Sequence, residues 1–135
     1  MIRMPIYHIA DIEKRKARVN PAIESQSVVG ELMKAGIVRK PEGEGPPLHM
    51  HPNEEQFTLI LEGKLHYILG DEDCIVKPGD LIHIPRHTNH RSRPVDGPAV
   101  FFTVKSPAGK TGELSEDYNL VAGAEKAEEK YPGKK

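Results

Sequence analysis

Between Val28 and Lys105 no apolar run is longer than a few residues, and glycine or proline separates most of them. The runs are Val28–Val29, Gly36–Val38, Phe57–Leu61, Leu65–Leu69, Cys74–Val76, Leu81–Ile84 and Ala99–Val104. Between them stand turn-forming stretches such as Gly45-Pro46-Pro47, Glu62-Gly63, Gly70-Asp71, Pro78-Gly79-Asp80 and Asp96-Gly97-Pro98. Many short strands at this spacing predict an all-β sandwich or barrel. No amphipathic segment of 10–15 residues lies between the runs, which argues against a parallel α/β sheet. The 135 residues make one domain's worth of chain. The expected division is an N-terminal polar extension over 1–27, a core over 28–107 and a polar tail over 108–135. Within the tail Ala122–Tyr131 predicts a short, solvated surface helix stopped by Pro132-Gly133.

Nineteen basic and 20 acidic side chains leave a formal charge of −1. Such a balance argues against a nucleic-acid partner, which calls for a strongly basic face. No stretch approaches the roughly 18 consecutive apolar residues of a membrane helix. Arg3, Asp11, Glu13 and Lys14 are charged too early for a secretory leader. A single cysteine, Cys74, has no partner for an internal disulfide, so the expected compartment is the reducing cytoplasm. Cys74 itself reads as a small core residue.

Strand periodicity divides Gln56–Glu62 into two faces. Phe57, Leu59 and Leu61 make an apolar face that reads as core. Gln56, Thr58, Ile60 and Glu62 make a mixed face suited to a cavity wall.

Five of the seven histidines fall within 42 positions, at 49, 51, 83, 87 and 90. In His49-Met50-His51 the two imidazoles share one face of a strand, roughly 6–7 Å apart, and two such rings can converge on one metal ion. His83, His87 and His90 are rival candidates for a third imidazole. His83 also reads as a packing or surface residue, and His8 and His66 as structural or solvated ones.

His49-x-His51 with Gln56 and Gly63, followed by Pro78-Gly79-Asp80, Ile84-Pro85 and His90, resembles the two motifs of the cupins, in order. With its flanking strands the resemblance covers about residues 28–105. It implies a single jelly-roll β-barrel of the RmlC-like type with a divalent metal inside, held by His49, His51, Gln56 and His90. Counting back from Gly63 puts Gln56 in the slot where the commonest pattern has glutamate. A one-residue slip to Glu55 would turn Phe57, Leu59 and Leu61 into the cavity. Imidazole ligands suit Zn, Ni, Fe, Mn or Cu without choosing among them. A neutral amide in the fourth position keeps the full +2 charge, which strengthens the ion as a Lewis acid and anion binder.

The glutamine variant is similar to the cupins that linearise unsaturated uronates. In that group an Asp-x-Phe-Ser-Pro-x-x-Arg-like stretch supplies catalytic side chains. Here the matching stretch has Thr103 at the acid, Lys105 at the aromatic and Gly109 at the arginine, so the metal ligands carry over and the acid–base set does not. Thr103 and Lys105 share a strand face. If it lines the barrel, Lys105 holds a substrate carboxylate; otherwise it ends the strand in solvent. His87 is the candidate for proton transfer, since an imidazole titrates near neutrality. Arg39 is a further candidate for an anionic ligand, whereas Arg91 and Arg93 fall on the face opposite Ser92, away from the cavity.

The expected function is metal-dependent turnover of a small, oxygen-rich, anionic molecule, by lyase, isomerase or dioxygenase chemistry. The alternative is a non-catalytic module that senses or stores a small ligand or a metal. The resemblance also implies a homodimer, with the strand edge at 28–40 as the contact.

Overall fold

The computed structural model describes residues 5–111 and 113–130. Among these residues there are nine strands: β1 (Arg15–Lys16), β2 (Glu24–Val29), β3 (Lys34–Lys40), β4 (His49–Met50), β5 (Glu55–Leu69), β6 (Glu72–Val76), β7 (Leu81–Ile84), β8 (His90–Ser106) and β9 (Asn119–Leu120). The one α-helical turn among the described residues, α1 (Ala124–Ala127), runs into a 3-10 turn over Glu128–Lys130. The first part of the predicted helix therefore forms, while Tyr131 and Pro132-Gly133 lie outside the described residues.

The spine is an antiparallel pair. β5 follows β8 along almost its whole length, from Glu55 opposite Ser106 to Leu69 opposite His90. On the other side of β8, β3 pairs with its C-terminal half and β4 with its first residue. β2 and β1 extend the sheet beyond β3, β9 extends it beyond β4, and β6 and β7 pair with β5. The result is a curled jelly-roll sheet, as the strand punctuation predicts. It is open, however: among the described residues no pairing joins its outer strands into a closed barrel.

Two features of the sequence read differently in three dimensions. Glu62-Gly63 does not end a strand. The chain passes through it with register shifts between Ile60 and Lys64. Gly63 takes a positive φ of 79°, and the backbone of Pro98 and Ala99 occupies the space a side chain would need. Glycine is the residue that permits such a bulge. The other is the apolar face of β5, which points outward. Phe57 and Leu61 are more than 40% exposed, and Phe57 stacks on the ring of His83 at 4.5 Å. Gln56, Thr58 and Ile60 are buried. The polar side chains of the site fill the concave face, leaving the alternate residues to the convex one. Cys74 is exposed rather than in the core, because β6 is a sheet edge paired only with β5.

The main core gathers Ile23, Val38, Ile60, Leu65, Ile84 and Phe101 with their neighbours from five strands and the loop before β2. Burial of each large aliphatic side chain contributes about 1.5–3 kcal/mol. A smaller cluster joins Leu48 and Ile68 to Ala127 of α1. The tail is thus fastened to the sheet rather than solvated. Arg91 donates to the Ala127 carbonyl at 2.9 Å and to Glu128 at 2.5 Å, and Arg93 also donates to Glu128. Both arginines stay off the cavity wall but are buried beneath the tail. This fastening matters for the site, because β9 lies against β4.

Candidate metal centre

The sheet brings three histidines together by register. His49 of β4 sits directly opposite His90 of β8, and His51 follows just past the end of β4. The ring centroids lie 4.3–5.0 Å apart, and one ring nitrogen from each lies within 4.8 Å of the others. All three rings are buried.

Each ring is oriented from behind by a backbone carbonyl. Nδ1 of His49 donates to Pro47 at 2.7 Å, Nδ1 of His51 to Asp117 at 2.5 Å and Nδ1 of His90 to Thr88 at 2.9 Å. A carbonyl only accepts, so the proton sits on Nδ1 and the Nε2 lone pair is free. Metal-binding imidazoles are oriented by such outer contacts. Protonation of the rings is strongly disfavoured. Burial, and secondarily the neighbouring His90, push His49 down to about 2. Burial and the charge of Lys105 push His51 to about 3. Burial also leads at His90, which falls to about 4 with Lys105 and Lys40 adding to the shift. Tyr118, from the tail, lies against the His49 ring at 4.7 Å.

Gln56 lines the same cavity. Its Nε2 donates to Thr58 Oγ1 at 3.0 Å and Thr103 Oγ1 at 2.8 Å, while its buried Oε1 has no partner. An orphaned buried carbonyl is costly, and a cation beside the imidazoles would relieve it. Three free imidazole lone pairs and one free amide oxygen fit a divalent metal. A second group, His51, Glu54 and Asp117, is also close enough to share an ion. Its carboxylates are already engaged. Asp117 accepts from the Asn53 backbone and side chain, and Glu54 pairs with Lys34 at 2.8 Å. The three histidines are therefore the better site.

The cavity has a volume of about 120 Å³. Lys105 lines it and is buried, its Nζ donating to the Leu114 carbonyl and lying 3.7 Å from Glu54. Burial pushes its ammonium down to about 8 against the opposing pull of Glu54. His87 is exposed in a turn with φ 64°, and its backbone N–H donates to the His51 carbonyl at 3.1 Å. Its side chain is not among those lining the cavity. Arg39 is likewise off the wall, donating to Gln26 at 2.5 Å.

Several contributors were not singled out from the sequence. Lys34 and Lys40 alternate with Gly36 and Val38 on the buried face of β3, and Glu54 has the parity of Gln56 and Thr58. That even-numbered alternation was the available signal. Asp117 and Tyr118 carried none, since they reach the histidines only through the β4–β9 pairing.

The family model of the cupin domain matches residues 36–105, just over half of the chain. Quercetin 2,3-dioxygenase of Bacillus subtilis (strain 168) is 33% identical over 64 residues, or 47% of this chain. The match spans 19% of that protein's length. Among solved structures, KdgF from Halomonas sp. superposes with a TM-score of 0.73 at 19% identity, covering 83% of this chain and all of that one. A sugar phosphate isomerase of the cupin superfamily from Silicibacter pomeroyi gives 0.67 at 22% identity, covering 76% of this chain and 75% of that one. Both structural likenesses speak for the fold. Taken with the paired histidine motifs and their convergence in the curled sheet, the match establishes that this chain belongs to the cupin family.

Proposed function

We propose that the chain is a metal-dependent enzyme acting on a small, oxygen-rich, anionic molecule, with lyase or isomerase chemistry as the leading reaction type. The observation that carries this reading is the donor set: three converging imidazoles and Gln56, with its unpartnered Oε1, line one cavity. His49, His51, Gln56 and His90 would hold the ion. When bound, it supplies Lewis-acid polarisation of a substrate oxygen.

The chain's own residues then have separable tasks. Lys105, buried on the wall, takes a carboxylate of the substrate, since a buried ammonium is stabilised by an arriving anion. Thr58 and Thr103 hold the Gln56 amide and keep its oxygen turned inward. His87, whose turn is tied to the His51 carbonyl, serves proton transfer in this reading from outside the cavity wall. The segment 28–40 is not an unpaired edge, since β3 lies between β2 and β8. In our reading two copies pair instead through the β2–β3 turn, where Val29, Leu32 and Met33 are exposed, and a monomer by light scattering would contradict that part.

A binding module without turnover is the second reading, and one observation favours it. Thr58 and Thr103, rather than carboxylates, flank Gln56 in the wall. Incubation of the metal-loaded protein with a 4,5-unsaturated uronate separates the two. Loss of its ultraviolet absorbance in wild type, abolished in His49→Ala and reduced about tenfold or more in Lys105→Met, supports the enzyme. Binding of the uronate with no loss of absorbance supports the module.

A further inference from the structure

The cavity wall carries two buried ammonium groups, and their surroundings differ. Lys105 has Glu54 at 3.7 Å, and its neighbour Lys34 has Glu54 at 2.8 Å and Glu116 at 3.6 Å. That corner is electrically compensated. Lys40 has no carboxylate within ion-pair distance among the described residues. Its Nζ donates to the Ser92 carbonyl at 3.0 Å and Ser92 Oγ at 2.9 Å, and it lies 5.5 Å from the centre of the Phe101 ring. Both Ser92 and Phe101 line the cavity with it. Three N–H donors meet two protein acceptors, leaving one donor over.

The placement is held firmly. Lys40 is the last residue of β3, where the alternation that buries Lys34, Gly36 and Val38 turns it inward. Its stem crosses the core face beside Phe101, and the Ser92 side chain fixes its tip. Burial, with further repulsion from Arg93, Lys105 and Arg91, pushes this ammonium down to about 7. A buried cation surrounded by other cations is costly unless an anion joins it. The protein supplies none at this point, whereas it supplies Glu128 to Arg91 and Arg93 and Glu54 to Lys34.

We propose that Lys40 is the anchor for a second anionic group of the ligand, a carboxylate other than the one taken by Lys105, so that the site selects dicarboxylic over monocarboxylic hydroxy acids. The inference rests on the reading of the site as a metal centre for anionic molecules, and it assigns the recognition element. Lys105 and the metal take one carboxylate of the ligand, Lys40 the second. A single N–H of a charged donor to a carboxylate is worth roughly a tenfold preference or more.

Two hydroxy acids of equal length test this: 2-hydroxyglutarate, and 2-hydroxypentanoate, which has a methyl group where the distal carboxylate stands. Calorimetric titration of each into the metal-loaded protein is expected to show at least tenfold tighter binding of the diacid. Lys40→Met should remove that preference while the affinity for the monoacid stays within about twofold, and Lys40→Arg should retain it. Circular dichroism and bound-metal content confirm that each variant is folded and loaded. Equal binding of both acids to wild type, no binding of either, or equal weakening of both in Lys40→Met would overturn the anchor. Failure of the underlying reading looks different. A protein that takes up no metal but still prefers the diacid would overturn the metal centre and leave the anchor standing.

Discussion

Glu54→Leu is expected to destabilise the fold by about 3–5 kcal/mol, the cost typical of removing one member of a buried ion pair. Glu54 and Lys34 are both almost wholly inaccessible and lie 2.8 Å apart. Lys105 lies 3.7 Å from the other carboxylate oxygen. Loss of the carboxylate leaves two buried ammonium groups side by side, and Lys34 keeps only the Glu113 carbonyl at 2.6 Å and the more distant Glu116. For a domain of this size the corresponding fall in thermal midpoint is on the order of 10–20 °C. The double variant Lys34→Met with Glu54→Leu should recover part of the loss, because it removes one stranded charge along with its partner. Thermal unfolding followed by circular dichroism measures both. A midpoint for Glu54→Leu within 2–3 °C of wild type, on the order of 1 kcal/mol, would mean that the triad is solvated and that Lys105 is not held by it.

His49→Ala is expected to abolish stable metal binding while leaving the fold intact. The substitution removes one of three converging imidazoles, whereas the outer contacts of such a site already govern affinity by roughly 10–100-fold. The drop should therefore exceed a hundredfold. Stability should suffer less than in Glu54→Leu. The His49 ring is neutral, burial having driven its protonation down to about 2, so its loss strands no charge. It does leave the Pro47 carbonyl without its donor. Competition titration against a chromophoric chelator reads the affinity directly. Retention of wild-type affinity would show that the ion sits elsewhere, with His51, Glu54 and Asp117 as the group to test next.

Much of the site was legible in the sequence because both of its motifs are local. His49-x-His51 reads as two rings on one strand face, and the count from Gly63 turns Gln56 inward, as its burial bears out. The turn residues predicted several of the short strands, but β5 runs through Glu62-Gly63 and β8 through Asp96-Gly97-Pro98. What was not legible depends on curvature and on contacts distant in sequence. Alternation in β5 separates Phe57, Leu59 and Leu61 from Gln56 and Thr58, but it cannot tell which face is concave. The mixed face reads correctly as the cavity wall, but the apolar face, which reads as core, lies on the convex side with Phe57 and Leu61 exposed. The buried arginines were hidden for a related reason. Arg91 and Arg93 look like solvated residues until Glu128, more than 30 positions later, folds over them. Lys40 drew no reading from the sequence, because Ser92 and Phe101, which enclose it, lie far along the chain.

The central claim is that the three histidines and Gln56 hold one divalent ion. Elemental analysis of the purified wild-type protein, after dialysis against metal-free buffer and reloading with Zn, Ni, Mn or Fe(II), tests it most directly. The account predicts close to one ion per chain, with X-ray absorption showing imidazole nitrogens and at least one oxygen around it. A protein that retains no ion under any of these loadings, or one whose bound ion has no imidazole nitrogen around it, would contradict the claim.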